Sequence, residues 1–446
     1  MRAFGIIFVV LVVATWAVGR TRVGALTDGR VALVWVSDNN PARQEHLDQF
    51  NRLNPDLRLV LDPANRGAEK VIVQSLGGVG PDVFDSYSPS QLAAYVRSGI
   101  AWDITEELAK RGIDVKSEVW GCLLEQVVHE GRVYGMPSNV SVDALFFNKE
   151  ALEKAGVKLK GGPWTWEEFL PVAKKLTVRD EAGRVQQYGL ALDDIQWRTL
   201  LMQFGGRVYS ADGTKCVLDS AEAIAAVQFM HDLIYKHQVV PSPLEREAMA
   251  EEGGWGSGGI KMLSSGRAAM AIGGRWWLCT LRNYDGLRLG AVEAPHTGER
   301  VFRAYGKAIL VNSKSENRER ALDFLEYMTT AEYARLVNQQ ADGLAPTPKH
   351  CTSESLVVKE FPDEDSGEVF LSVVPLGRSD DISPFVNAAL ADRIITRQLD
   401  LALRDTKSVA EAMRTAAREV NEAMEKELRR DAELRQRYEQ LVGGGQ

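Results

Sequence analysis

Cysteine and histidine are scarce in this chain, with four of the first and six of the second in 446 residues. Cys122, Cys216, Cys279 and Cys351 stand too far apart for any zinc or dithiol redox spacing. They leave two outcomes open, disulfides in an oxidising compartment or buried free thiols. No metal and no cofactor is expected. Neither Gly-x-Ser-x-Gly nor His-Glu-x-x-His occurs, which removes two common hydrolase signatures. Basic blocks are missing as well, and a formal charge of -8 excludes a nucleic-acid partner. Long apolar runs are confined to the start, where Met1-Arg2 precedes the stretch Ala3 to Val18. A charged start, an apolar run and the small residues Ala17 and Gly19 match an export signal. Residues 1–19 are therefore expected to be a cleaved signal peptide or a retained N-terminal anchor. The first cysteine is Cys122, so no lipid-attachment site follows the run. The location expected is exported, periplasmic or otherwise extracytoplasmic.

What remains is an ordinary globular composition, 45% hydrophobic and 26% charged, in a chain longer than one core usually supports. Two lobes or domains follow as the expectation. Val31 to Val36 has the pattern of a strand, with Ser37 to Pro41 as the loop at its carboxyl end. A helix with Leu47, Phe50 and Leu53 on one face follows, then a strand from Leu57 to Leu61. Gly80 to Asp85 forms a third strand leading to a helix opened by Ser88 and Gln91. This β-α-β alternation predicts an α/β fold. Further helix starts are marked by Thr165 with Glu168, Asp219 with Glu222, and Ser408 with Glu411. From about Ser379 the pattern is helical, and Val409, Met413, Ala416, Val420 and Met424 share one face. Gly254, Gly256 and Gly259 match a dinucleotide fingerprint by letter, but no strand precedes them, so they are assigned to a flexible loop presenting Trp255.

The most informative stretch is Tyr134 to Glu150. Pro137 forces an extended entry. Val142 to Phe147 then supplies a buried strand. Between them lie Ser138, Asn139, Ser141 and Asp143, small polar groups that suit a solvent-facing crossing better than a core.

Several ordered segments together resemble the extracellular solute-binding proteins of ABC importers, in the carbohydrate-type group that includes maltose-binding protein. They are Gly80-Pro-Asp82 with Ser98-Gly99; Tyr134-Gly-Met-Pro137 leading to Phe147-Asn-Lys149; Trp164-Thr-Trp-Glu-Glu-Phe169; Phe204-Gly-Gly206; Gly266-Arg-Ala-Ala-Met270 running into Gly273-Gly-Arg-Trp276; and Ala321 to Leu325 followed by Gly343-Leu-Ala-Pro346. The resemblance spans roughly Val31 to Pro348. It implies a two-lobed, type II α/β fold with hinge strands and a ligand cleft between the lobes. Lobe 1 would comprise residues 30–138 and 297–330, and lobe 2 residues 139–296 and 331–446. Crossings would fall near Pro137–Ser141, Glu293–Arg303 and Met328–Glu332.

On that frame Asp38, Asn39, Asp85, Ser86 and Tyr87 lie on loops facing the ligand, and Asn139 and Ser141 on the first crossing. Trp276 matches the family's sugar-stacking aromatic, with Arg275 where the family has proline. As neighbours on a strand, Trp276 would face the ligand and Trp277 the core. Trp197, Trp255, Tyr305 and Arg378 complete the candidate set, and Trp35 is assigned to the core. A pyranose offers an apolar face for an indole and hydroxyls for fixed polar groups. The implied activity is capture of a sugar or oligosaccharide and delivery to the transmembrane subunits of an ABC permease, by a monomer without catalysis. Ser86, Pro89 and Ser90 stand where maltose-binding protein has a tryptophan and an Asp-Arg pair, which argues against maltodextrin. Two rivals stand beside it: a secreted carbohydrate-active enzyme using Asp38 and Asp85 as paired carboxylates, and a ligand-sensing surface protein that keeps the same lobes.

Overall fold

In a computed structural model, residues 29–443 are described, apart from 41, 64–66, 250–256, 362, 363 and 365. Numbered along the chain, the strands are β1 (Val31–Val36), β2 (Leu57–Asp62), β3 (Val83–Ser86), the pair β4 (Val128–His129) and β5 (Arg132–Val133), β6 (Gly135–Pro137), β7 (Ser141–Asn148), β8 (Val178–Arg179), β9 (Val185–Ala191), β10 (Ala268–Gly274), β11 (Leu289–Val292), β12 (Phe302–Tyr305), β13 (Ala308–Val311) and β14 (Gly377–Arg378).

The chain divides into two compact units. The first takes the residues up to Val119, Leu124–Ser138 and Lys307–Leu336. The second takes Trp120–Leu123, Asn139–Gly306 and Val337 onward. The return crossings thus fall at Gly306/Lys307 and Leu336/Val337, later than the resemblance implies. The reason lies in the strands. All of β12 pairs with β7 and β14 of the second unit, so the chain stays there until Tyr305.

The first unit is built on a five-stranded sheet in the order β2-β1-β3-β13-β6. β1 runs parallel to β2 and β3, whereas β13 runs antiparallel to β3 and β6. Alternation along β1 buries Leu33 and Trp35 on one face. Trp35 meets Phe324 edge-on at 5.2 Å, and Phe324 also meets Phe50 at 5.2 Å. Such aromatic pairs contribute about 0.5–1.5 kcal/mol each beyond the area they bury. In the helix Ala42–Leu53, Leu47 and Phe50 are buried, but Leu53 is 55% exposed. It is the terminal residue, and the helix ends before that face can be covered.

The second unit holds a seven-stranded sheet, β14-β12-β7-β10-β9-β8 with β11 also on β7. Phe146 of β7 stacks on Trp277 at 5.9 Å in its core. Gly259 and Gly273 make room for that indole, since a Cβ on either would come within 2.3 Å of the ring. Helix starts follow local chemistry. Thr165 and Glu168 form a complete capping box on Trp166–Leu176, and Ser408 caps Val409–Arg430. Ser220, one residue beyond the expected Asp219, caps Ala221–Tyr235. The helical C-terminal region begins only at Ala388; residues 379–387 are irregular. All four cysteines are free thiols. Among the described residues, no helix is long and apolar enough to cross a membrane. The expected N-terminal signal or anchor lies outside the described residues.

Candidate functional site

Ligands of open α/β sheets bind beyond the carboxyl ends of parallel strands. In the first unit β1 and β3 end together, and the antiparallel β13 begins beside them, with Ile309 opposite Asp85. That topology brings Ser37, Asp38, Asp85, Tyr87 and Lys307 to one edge. Asp85 accepts from Trp35 Nε1 at 2.7 Å, Ser37 Oγ at 2.5 Å and Tyr87 OH at 3.0 Å. Tyr87 OH also lies 3.2 Å from Asp38 Oδ2. Lys307 Nζ donates to Ser37 Oγ at 3.1 Å and faces Asp38 and Asp85 at 3.6 and 3.5 Å. Its ammonium sits 4.8 Å from the Trp35 ring. Arg43 Nη2 reaches Asp38 at 3.2 Å.

These contacts set the charge states. Burial pushes Asp85 up, and the Asp38 carboxylate adds to that, while Lys307 opposes it. For Asp38 burial acts upward too, but Lys307 and Arg43 outweigh it and hold the carboxyl well below its usual range. Burial, then Asp85 and Asp38, raises the Tyr87 phenol far above neutral pH. Asp38 and Asp85 therefore face an equal number of cations, Lys307 and Arg43.

Asp38, Asp85 and Tyr87 thus come together at this edge, while Asn39 and Ser86 do not join them. Asn39 is exposed. Ser86 alternates to the other side of β3, fully buried, and donates to the Ser88 carbonyl. Gln91 completes this turn by accepting from the Tyr87 N–H at 2.8 Å. Trp35 is a core residue as assigned, although its N–H is part of the network. Lys307 carries no motif. Its signal is a lysine opening the wholly apolar Ala308–Val311, where an amine needs an acidic partner.

The second unit presents a different constellation. Asp143, buried in β7, accepts from Tyr305 OH and from Gln196 Nε2, each at 2.7 Å. Tyr305 OH in turn accepts from Trp276 Nε1 at 3.1 Å. Trp276 is half-buried, and its indole is held edge-on to Trp277. Residues 275–277 form a short 3-10 helix, not a strand, so the expected alternation does not place them. Trp277 is nonetheless core, 3% exposed. Gly274 is required behind Trp276, because a Cβ there would lie 2.3 Å from both Ser141 Oγ and Tyr305 OH. Burial raises Asp143, and burial with the Asp143 charge raises Tyr305. Arg303 stacks 5.0 Å over Tyr305 and grips Asp380 at 2.8–3.0 Å.

Ser141 is buried beside Tyr305, and Asn139 is buried with its amide donating to the Asp342 carbonyl at 2.8 Å. The remaining candidates fall elsewhere. Trp197 is 3% exposed within the hydrophobic core, because it opens the buried helix Trp197–Gln203. Arg378 lies on the surface, paired with Glu299 at 2.5 Å. Trp255 lies outside the described residues. Gln196 and Asp380 were not among the candidates, since their partners Asp143 and Arg303 are distant in sequence.

Comparison with known proteins follows the same lines. An arabinooligosaccharide-binding protein of Halalkalibacterium halodurans is 26% identical over 306 residues, which spans 66% of this chain and 66% of that relative's length. The ABC substrate-binding protein Lmo0181 of Listeria monocytogenes, solved with cycloalternan, aligns with a TM-score of 0.76 at 20% identity. That alignment covers 89% of this chain and 99% of that one. UgpB of Mycobacterium tuberculosis, solved with glycerophosphocholine, aligns at 0.73 with 18% identity, over 90% of this chain and 100% of that one. These solved structures share the two-lobed α/β fold. The family model described as "Bacterial extracellular solute-binding protein" matches residues 36–335. This chain belongs to the family of bacterial extracellular solute-binding proteins.

Proposed function

We propose that this chain captures a neutral sugar or oligosaccharide outside the cytoplasm and delivers it to the transmembrane subunits of an ABC permease. The single observation that carries this reading is the Trp276–Tyr305–Asp143–Gln196 chain. It fixes a half-exposed indole in place through its own N–H, leaving the ring as a rigid apolar platform. Such a platform suits the C–H face of a pyranose, and stacking there loses little side-chain entropy.

Charge balance favours a neutral solute over a phosphorylated one. Lys307 and Arg43 face Asp38 and Asp85, Arg303 is committed to Asp380, and Arg378 to Glu299. A phosphate group would have to displace a carboxylate from its partner. The protein acts as an exported monomer without turnover.

A thermal-shift panel of neutral mono- and oligosaccharides, glycerophosphodiesters and polyamines tests this. A neutral saccharide should raise the unfolding midpoint and bind at micromolar strength, about -8 kcal/mol. Trp276→Ala should weaken it at least tenfold. Stabilisation by the anionic diesters alone would overturn the reading.

A further inference from the structure

Arg275, the residue just before Trp276, is fully buried. A guanidinium carries five N–H donors in one rigid plane. Nη1 donates to the Gly343 carbonyl at 2.8 Å. Nε and Nη2 are equally buried and have no hydrogen-bond partner among the described residues. Those two nitrogens form one edge of the plane, the edge that takes a carboxylate side-on. Elsewhere in the same unit that edge is filled. Arg282 uses it on Glu364 at 2.8 and 2.9 Å, Arg303 on Asp380, and Arg300 on Glu293.

The local charge does not balance. Among the described residues, the ionisable groups acting most strongly on Arg275 are Glu364, Arg282, Cys279 and Cys351. Glu364 is already committed to Arg282, so that pair cancels and the charge of Arg275 is left over. Burial pushes the Cys351 thiol up to about 11, so it is no thiolate at neutral pH. Burial lowers Arg275 itself only to about 10, and it stays protonated. On the segment that carries Gly343, Gln340 Nε2 and Oε1 and Thr347 Oγ1 are also buried without partners among the described residues. A buried cation with free donors and no counter-charge among the described residues is strongly unfavourable, and an anion corrects both defects.

We propose that Arg275 binds a small inorganic anion of chloride size on its Nε–Nη2 edge, inside the second unit. Burial sets the size. Both nitrogens are closed off from solvent, so the anion has to be small enough to be enclosed with them. The site stands apart from the solute-binding reading and does not depend on it. Its occurrence follows from a feature of this chain, an arginine where the family motif has proline.

The full chain, unfolded thermally at constant ionic strength in mixtures of sodium chloride and sodium gluconate, tests the proposal. The midpoint should rise by a few degrees between about 1 and 200 mM chloride, as expected for a ligand of the folded state. Arg275→Gln should abolish that dependence. Crystals of the unsubstituted chain grown in bromide should show an anomalous peak within about 3.5 Å of Nε and Nη2, a measurement that holds even if the variant does not fold. A chloride dependence unchanged in Arg275→Gln, or no bromide peak at this edge, would overturn it.

Discussion

Replacing Lys307 by methionine isolates the electrostatics of the first unit. The substitution keeps most of the side-chain volume over Trp35 and removes one positive charge. That charge faces Asp38 at 3.6 Å and Asp85 at 3.5 Å. At an effective dielectric of about 20, each pair is attracted by about 5 kcal/mol before desolvation is counted. Desolvation of the amine offsets much of this, so loss of one partner from such a buried group costs about 3–5 kcal/mol. Asp85 keeps its bonds from Trp35, Ser37 and Tyr87. They soften the loss without replacing the charge.

The pH dependence has a definite sign. Asp85 is already raised by burial, and without Lys307 it climbs further above its unfolded value of about 3.9. Between those two values the folded state binds more protons than the unfolded state, so lowering the pH stabilises the variant. Urea unfolding followed by circular dichroism should show the full deficit near pH 8 and a smaller one near pH 5. Adding Asp85→Asn should restore at least about 2 kcal/mol at pH 8 in a double-mutant cycle. A deficit below about 1 kcal/mol at pH 8, or one that does not change with pH, would refute the reasoning.

Asp193 is held up at about 6, mainly by burial. Its folded value exceeds the unfolded one, so the stability it contributes is present below about pH 4 and lost as pH rises through 6. Asp193→Asn should flatten the unfolding midpoint between pH 5 and 7, an effect of no more than about 3 kcal/mol. Gly273→Ala drives a methyl into the Trp277 ring and should destabilise the second unit by about 1–3 kcal/mol in thermal unfolding; an unchanged midpoint would contradict the packing described. Arg303→Met leaves Asp380 without its bidentate partner, in a pair whose side chains are only 16% and 15% exposed. Stability should fall by about 2–4 kcal/mol, and Arg303→Met with Asp380→Leu should recover part of it; a double variant no better than the single would count against the pair.

Local chemistry was the legible part. Ser88, Thr165 and Ser408 announce their helices because a cap needs only a hydroxyl and the next three backbone N–H groups. Strand ends carrying Asp38 and Asp85 were visible for a similar reason, as polar residues closing apolar runs. Long-range partners were not. Lys307 meets Asp38 and Asp85 only because β13 runs antiparallel to β3, and no spacing encodes that. Trp276 was singled out by motif, but its orientation was not legible, because the chain turns into a 3-10 helix after Gly274 where alternation ceases to apply. Trp197 shows the converse error. An aromatic beside acidic residues resembles a binding group, yet as the first residue of a buried helix it packs inward. The return crossing that the resemblance implies at Glu293–Arg303 falls too early, because β12 continues pairing with β7 to Tyr305.

A crystal structure with a bound neutral oligosaccharide tests the central claim most directly. One sugar ring should lie flat on the Trp276 indole about 4 Å away, at the contact distance of apolar groups. A ligand seated elsewhere, with the Trp276 ring untouched, would contradict it.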